Sequence, residues 1–206
     1  SLLPDRLESD PDFEIAAFSE SADEVGGDYY DTIRINDHQV ALIIADVSGK
    51  GTTAAFHMSQ MKGIFHSLAQ QELDPKEFMV RANQALIFCL ERGSFISATY
   101  FVINTRTKNI LYARAGHCPV LYYSAETNSS GYLKDKGKAL GMIKNKDYCN
   151  HIETNTLPYL PGDIMVLYTD GITEAKDQKG EEFGNERLAK ILCETTGKSP
   201  KEIQDY

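Results

Sequence analysis

Apolar and polar positions change their period several times along this chain. Residues 28–36 and 38–46 read as two strands joined at an Asn36-Asp37 turn. An earlier strand is predicted over 13–19 (FEIAAFS). After Gly51 the period lengthens: Ala54, Met58, Met61, Phe65 and Leu68 recur at spacings of 4, 3, 4 and 3, the apolar face of a helix reaching about Gln71. Asp74-Pro75 supplies an N-cap and a first-turn proline for a second helix, whose buried face reads as Phe78, Ala82, Ala85 and Cys89. Strand rhythm returns over 96–104, 109–115, 118–124 and 150–157, with turns at Thr105–Asn109 and Asn128–Gly131. Pro161-Gly162 announces a last strand at 163–169, and helices open near Asn185 and at Ser199-Pro200. Strands, two central helices and more strands predict an α+β domain with largely antiparallel sheets, one domain over 1–206.

Composition narrows the class of function. At 206 residues the chain can bury a real core, and 42% hydrophobic with 25% charged residues is ordinary for a globular protein. The formal charge of −9 excludes a broad nucleic-acid or anionic-membrane surface. No apolar run approaches the ~18 residues of a membrane span, and the opening SLLPDRLESD is not a signal peptide. Cys89, Cys118, Cys149 and Cys193 form no CxxC pair, so they are expected to be reduced, mostly buried thiols of a cytoplasmic protein.

Three aspartates carry the chemistry. Ala41-Leu42-Ile43-Ile44-Ala45 runs into Asp46, and Ile164-Met165-Val166-Leu167-Tyr168 runs into Asp170 one threonine later. Such continuous apolar runs read as strands buried on both faces, where a carboxylate is costly unless a cation or donor compensates it. Asp28 follows Gly26-Gly27, a pair that lets the backbone turn and approach a ligand closely. The 18-residue offset between Asp28 and Asp46 fits adjacent strands, which would bring those two carboxylates together. Hard oxygen ligands converging from separate strand ends describe a magnesium or manganese site. Taken singly, the motifs also have plain readings, as a Gly-Gly turn, a strand-to-helix turn and an Asp-Gly turn; the set of three favours the metal site.

Rival motifs fail. A phosphate loop would need Gly at position 44 and Ser or Thr at 51, where the chain has Ile44 and Gly51. GGDYYD resembles a cyclic-dinucleotide cyclase signature only on the surface, since just 25 residues precede Gly26 and Tyr29-Tyr30 replace Glu-Phe. His117 in AGHCP reads as a loop residue shaping a turn rather than a ligand, and His57 and His66 as helix-surface residues. The Met58/Met61 stripe reads as core. No serine or cysteine has a base at a recognisable spacing.

In order, GGDYYD, ADVSGKG, AGHCP, ALGM and PGD…YTDGITEA…FGNERL resemble the metal-dependent protein phosphatases of the type 2C (PPM) superfamily. The likeness is to the bacterial branch that holds the sporulation stage II phosphatase and the stress-response regulators of partner-switching pathways, and it runs from Leu2-Leu3-Pro4 to Tyr206. The resemblance implies two largely antiparallel sheets sandwiched between helices, and hydrolysis of phosphoserine or phosphothreonine on a protein. It implies two Mn²⁺ or Mg²⁺ ions, with Asp46 bridging them and the Val47 carbonyl and Asp28 on one, and Asp170 on the other. It further implies a phosphorylated STAS-type anti-sigma-factor antagonist as substrate and an upstream sensory module in a longer signalling protein; a homodimer is among the assemblies open to it. Relatives carry one more Asp-Asp on a last strand, whereas this chain ends at KEIQDY, and Asp205 does not match that pair. An inactive binding or dimerisation module of the same fold is the alternative that this departure raises.

Overall fold

The computed structural model describes residues 3–20, 26–49, 51–144 and 146–206. The strand pair comes first, as β1 (Asp28–Asn36) and β2 (Gln39–Val47), followed by helices α1 (Thr52–Ala69) and α2 (Pro75–Leu86). Strands β3 (Ile96–Asn104), β4 (Asn109–Ala115), β5 (Leu121–Ser124) and β6 (Ser129–Tyr132) come next, then a 3-10 helix at Lys146–His151. Strands β7 (Asn155–Pro158) and β8 (Ile164–Val166) lead into the short α3 (Asp170–Thr173), α4 (Gly184–Glu194) and α5 (Pro200–Gln204). The fold is α+β with two antiparallel sheets, in the strand orders β1-β2-β3-β4-β7 and β6-β5-β8.

The chain divides into two compact units. The first holds the five-stranded sheet with α1 and α2. Residues 40–45 of β2 are buried on both faces, as their unbroken apolar run requires. Along these strands successive side chains alternate between faces, and one face packs under the helices. There the Phe65 ring meets Tyr29, Phe78 and Tyr100 edge-on at 6.3–6.5 Å, and Phe78 stacks on Tyr100 at 3.7 Å. Asp31 lies on that face too, almost fully buried. Its carboxylate accepts from the Tyr29 hydroxyl (2.9 Å) and the Thr32 amide (2.8 Å), and meets His66 Nε2 on α1 at 2.8 Å. Burial, with Asp31 beside it, pushes the Tyr29 phenol far above its usual range.

The second unit holds the three-stranded sheet and α3 to α5, around Leu121, Tyr123 and Leu192. Asp163 fixes its entry turn by accepting from the Leu160 and Ala125 amides at 2.8 Å and from the Tyr122 hydroxyl. Ser199 and Glu202 form a capping box at the start of α5. Among the described residues, no helix is long and apolar enough to cross a membrane.

Several elements differ from the sequence expectation. Residues 14–20 form no strand; Phe13 makes only an isolated bridge to Asp10. Strand β6 (129–132) overlaps the turn expected at Asn128–Gly131, and β8 is three half-buried residues rather than a long buried strand. On α2 the buried face is Phe78, Met79, Ala82, Asn83 and Leu86; Ala85 lies off that face and is exposed, and Cys89 is exposed beyond the helix end at Leu86. Two of the four free thiols, Cys89 and Cys193, are exposed and none is fully buried. His57 is buried, contrary to a surface reading, with Nδ1 3.1 Å from the Gln60 side-chain oxygen.

Gly137 packs against β4 so closely that a Cβ there would lie 1.6 Å from the Arg114 carbonyl oxygen. Backbone cannot yield as a side chain does, so Gly137→Ala is expected to cost about 1–3 kcal/mol or more. A lower urea midpoint with an unchanged m-value is the expected readout.

Candidate metal centre

The site starts where the buried run of β2 ends. Asp46 is its penultimate residue, and in the antiparallel register Asp28, the first residue of β1, stands directly opposite. The pair lies on the sheet face away from α1 and α2, since Tyr29 and Ala45, one step along each strand, belong to the core under the helices. Both carboxylates are half-buried. Directly opposed Cβ atoms in such a ladder are about 4.5–5.5 Å apart, and like charges there repel.

Gly27 shapes the space beside this pair. The Val47 amide donates to the Gly27 carbonyl at 3.1 Å. A Cβ on Gly27 would fall 2.7 Å from the Val47 carbonyl oxygen and 3.4 Å from Asp46 Oδ1. A carbonyl and a carboxylate oxygen therefore face one small volume that only glycine leaves open. Gly27 does not adopt a left-handed φ, so room, not a sharp turn, is what the glycine provides. Beyond Val47 the loop is tied to the start of β3: the Ser48 amide donates to the Phe95 carbonyl at 3.0 Å, and the Phe95 amide to Ser48 Oγ at 2.8 Å. Gly49 (φ 98°) and Gly51 (φ 71°) then take conformations that disfavour other residues and lead into α1. Lys50, the lysine of the rejected phosphate-loop motif, lies outside the described residues, as does Leu2.

Asp170 belongs to the second unit. It is not at the mouth of a strand, because β8 stops at Val166 and Asp170 is the exposed first residue of α3. Its carbonyl accepts from the Glu174 amide at 2.8 Å. Nearby Tyr168 donates to Asn185 Oδ1 at 2.9 Å, and burial pushes its phenol well up, with Tyr132 and Cys118 adding to the shift. Among the described residues, no group of three His, Cys, Asp or Glu side chains is placed to hold a metal ion. The structure thus brings Asp28 and Asp46 together, with the Val47 carbonyl beside Asp46.

These donors fit a hard divalent cation. They are all oxygen, two of them carry charge, and their mutual repulsion is the kind that a cation offsets. Two further residues stand at this face, one of them, Ser97, not singled out by the sequence. Ser97 of β3 is the register partner of Asp46, and its Oγ lies 2.8 Å from Nδ1 of His117. His117 is buried, and no sequence spacing revealed its contact with Ser97.

Comparison with known proteins sets this geometry in a family. The model of Stage II sporulation protein E (SpoIIE) matches residues 36–206. "Phosphoserine phosphatase RsbU" of Bacillus subtilis (strain 168) is 32% identical over 183 residues, 87% of this chain and 52% of that protein. The chain therefore spans about half the length of this relative. Among solved structures, the SiaA-PP2C domain of Pseudomonas aeruginosa has a TM-score of 0.75 at 20% identity, covering 90% of this chain and 72% of that one. A crystal structure of RsbX in complex with magnesium has a TM-score of 0.61 at 20% identity, covering 89% and 86%. At those identities the structures establish the shared fold.

Proposed function

The chain belongs to the stage II sporulation protein E (SpoIIE) family, and from that membership we propose that it is a metal-dependent serine/threonine protein phosphatase. The observation that carries the reading is the Asp28–Asp46 pair, opposed across β1 and β2 on one face, with the Val47 carbonyl and Asp46 Oδ1 fronting the space beside Gly27. Asp46, Asp28 and the Val47 carbonyl, all in the first unit, are the residues assigned to hold Mn²⁺ or Mg²⁺. When bound, such ions would activate a water and neutralise phosphoryl oxygens. The protein's part is to present charged oxygens on a rigid strand pair, so that little ordering is left to the moment of binding. The Ser48–Phe95 hydrogen bonds hold the loop that carries the Val47 carbonyl. An acidic chain would otherwise repel a phosphorylated protein, and bound cations would reverse that field locally.

The substrate assigned is phosphoserine or phosphothreonine on a STAS-type anti-sigma-factor antagonist in a partner-switching pathway. Support comes from the phosphoserine specificity in the name of RsbU and from the magnesium found with the similarly folded RsbX. The test is phosphate release from a phosphorylated STAS-type protein with Mn²⁺ and with excess EDTA. Release that needs Mn²⁺ and stops with EDTA is expected; release that ignores EDTA would contradict the metal assignment.

A further inference from the structure

The Asp28–Asp46 row does not stop at β2. In the register of the sheet Asp28 faces Asp46, and Asp46 faces Ser97 on β3, all in the first unit. Directly opposed residues point to the same face, so Asp28 and Ser97 flank Asp46 from the two neighbouring strands. On its far side Ser97 Oγ meets His117 Nδ1 at 2.8 Å. Asp28, Asp46 and Ser97 thus form a polar row across three strands, extended by His117, and the next residues on that face of β2 and β3 are the buried Ile44 and Thr99.

The fold takes trouble to put the imidazole there. Strand β4 ends at Ala115, and Gly116 adopts a left-handed φ of 70° with the Ala139 backbone 3.0 Å from where its Cβ would be. Gly116 then bridges in parallel to Ala98, which returns the chain alongside β3 and sets His117 over Ser97. The Arg114 guanidinium locks the turn, donating to the His117 carbonyl at 2.6 Å and to the Asp135 carbonyl. His117 is 4% exposed, so its ring is held by packing as well as by hydrogen bonds. A residue that merely shapes a surface turn needs none of this.

We propose that Ser97 and His117 are positioning residues for the Asp28–Asp46 metal pair. The imidazole donates from Nδ1–H to Ser97 Oγ, and this leaves the single hydroxyl proton of Ser97 for the Asp46 carboxylate. The opposite polarity would aim serine lone pairs at a carboxylate, which is repulsive. Held from one side, Asp46 keeps the orientation that its role as a ligand demands, and partners of this kind are typically worth about 10–100-fold in metal affinity or activity. Ser97 on this account takes no part in bond-making, because the His117 nitrogen that it meets carries a proton. The inference rests on the metal-site reading of the preceding subsection.

The test is calorimetric titration of the full chain with Mn²⁺, together with kcat and KM, for the wild type, Ser97→Ala, His117→Ala and His117→Asn. Ser97→Ala and His117→Ala are expected to weaken Mn²⁺ binding by about 10–100-fold and to lower kcat at limiting Mn²⁺, with KM for the phosphoprotein little changed. His117→Asn, whose amide N–H can replace Nδ1–H, is expected to recover most of the affinity. Ser97 is a small half-buried residue, so its alanine variant reads the effect even if His117→Ala loses its fold. Unchanged Mn²⁺ affinity in Ser97→Ala would overturn the proposal, and if turnover were lost as well the hydroxyl would be acting in the chemistry itself. Failure of a folded His117→Asn to recover would also overturn it, as a packing effect. A wild type that binds no Mn²⁺ would bring down the metal-site reading, and this inference with it.

Discussion

Asp46→Asn is expected to abolish phosphate release, and to do so with a stability signature that separates it from damage to the fold. The substitution keeps the size of the side chain and one of its oxygens but removes the charge. In the metal-free protein it also removes half of a directly opposed like-charge pair, so stability should be unchanged or rise by about 0.2–1 kcal/mol. With Mn²⁺ at about 100 times its dissociation constant, the wild type should gain about 2.7 kcal/mol and Asp46→Asn should gain little. The order of stability therefore inverts when the metal is added. Denaturant melts with Mn²⁺ and with EDTA read this directly, and a variant that is less stable under both conditions would point to lost structure instead.

Gly27→Ala is the second large effect. The new methyl would sit 2.7 Å from the Val47 carbonyl oxygen and 3.4 Å from Asp46 Oδ1. The first contact is with backbone, so β1 and the loop after β2 must separate, straining the Val47–Gly27 hydrogen bond of 3.1 Å. Overpacking of this kind costs about 1–3 kcal/mol. The cost in activity should be larger than that in stability, because a misplacement of about 1 Å at a reacting centre can cost about 10²-fold. Steady-state kinetics beside a urea melt would show whether kcat falls while most molecules stay folded. Full activity in a stable Gly27→Ala protein would mean that the space beside Gly27 is not used.

Much of the first unit was legible because the local signals agree with one another. Strands β3 and β4 fall at 96–104 and 109–115, where an apolar run and the turn between them left no other choice. The Asn36-Asp37 turn likewise set β1 against β2 in the register that opposes Asp28 and Asp46. Where tertiary contacts decide, sequence failed. FEIAAFS has the pattern of a strand, but of its residues only Phe13 makes even an isolated bridge. SSGY has weak strand propensity, yet it pairs with β5 across a turn where the Tyr123 hydroxyl donates to Asn128. Asn83 is not among the residues expected on the buried face of α2, yet it is buried, with its side chain accepting from the Gly141 amide at 2.8 Å and donating to the Ile143 carbonyl at 3.0 Å.

The candidate site divides in the same way. Asp28 and Asp46 could be read from motif and spacing, because each marks an end of a strand in one hairpin. Ser97 could not: nothing in GSFISATY singles it out until the β2–β3 register sets it opposite Asp46. His117 stood out in sequence only as a residue between Gly116 and Cys118. Its buried contact with Ser97 depends on the left-handed Gly116 and on the Arg114 hold on its carbonyl.

The most direct measurement of the central claim is calorimetric titration of Mn²⁺ into the wild type, Asp28→Asn and Asp46→Asn. The account predicts saturable binding to the wild type that either substitution weakens by at least about tenfold, in proteins that remain folded. Binding of equal strength in all three would contradict it, because the opposed carboxylates of β1 and β2 would then hold no metal.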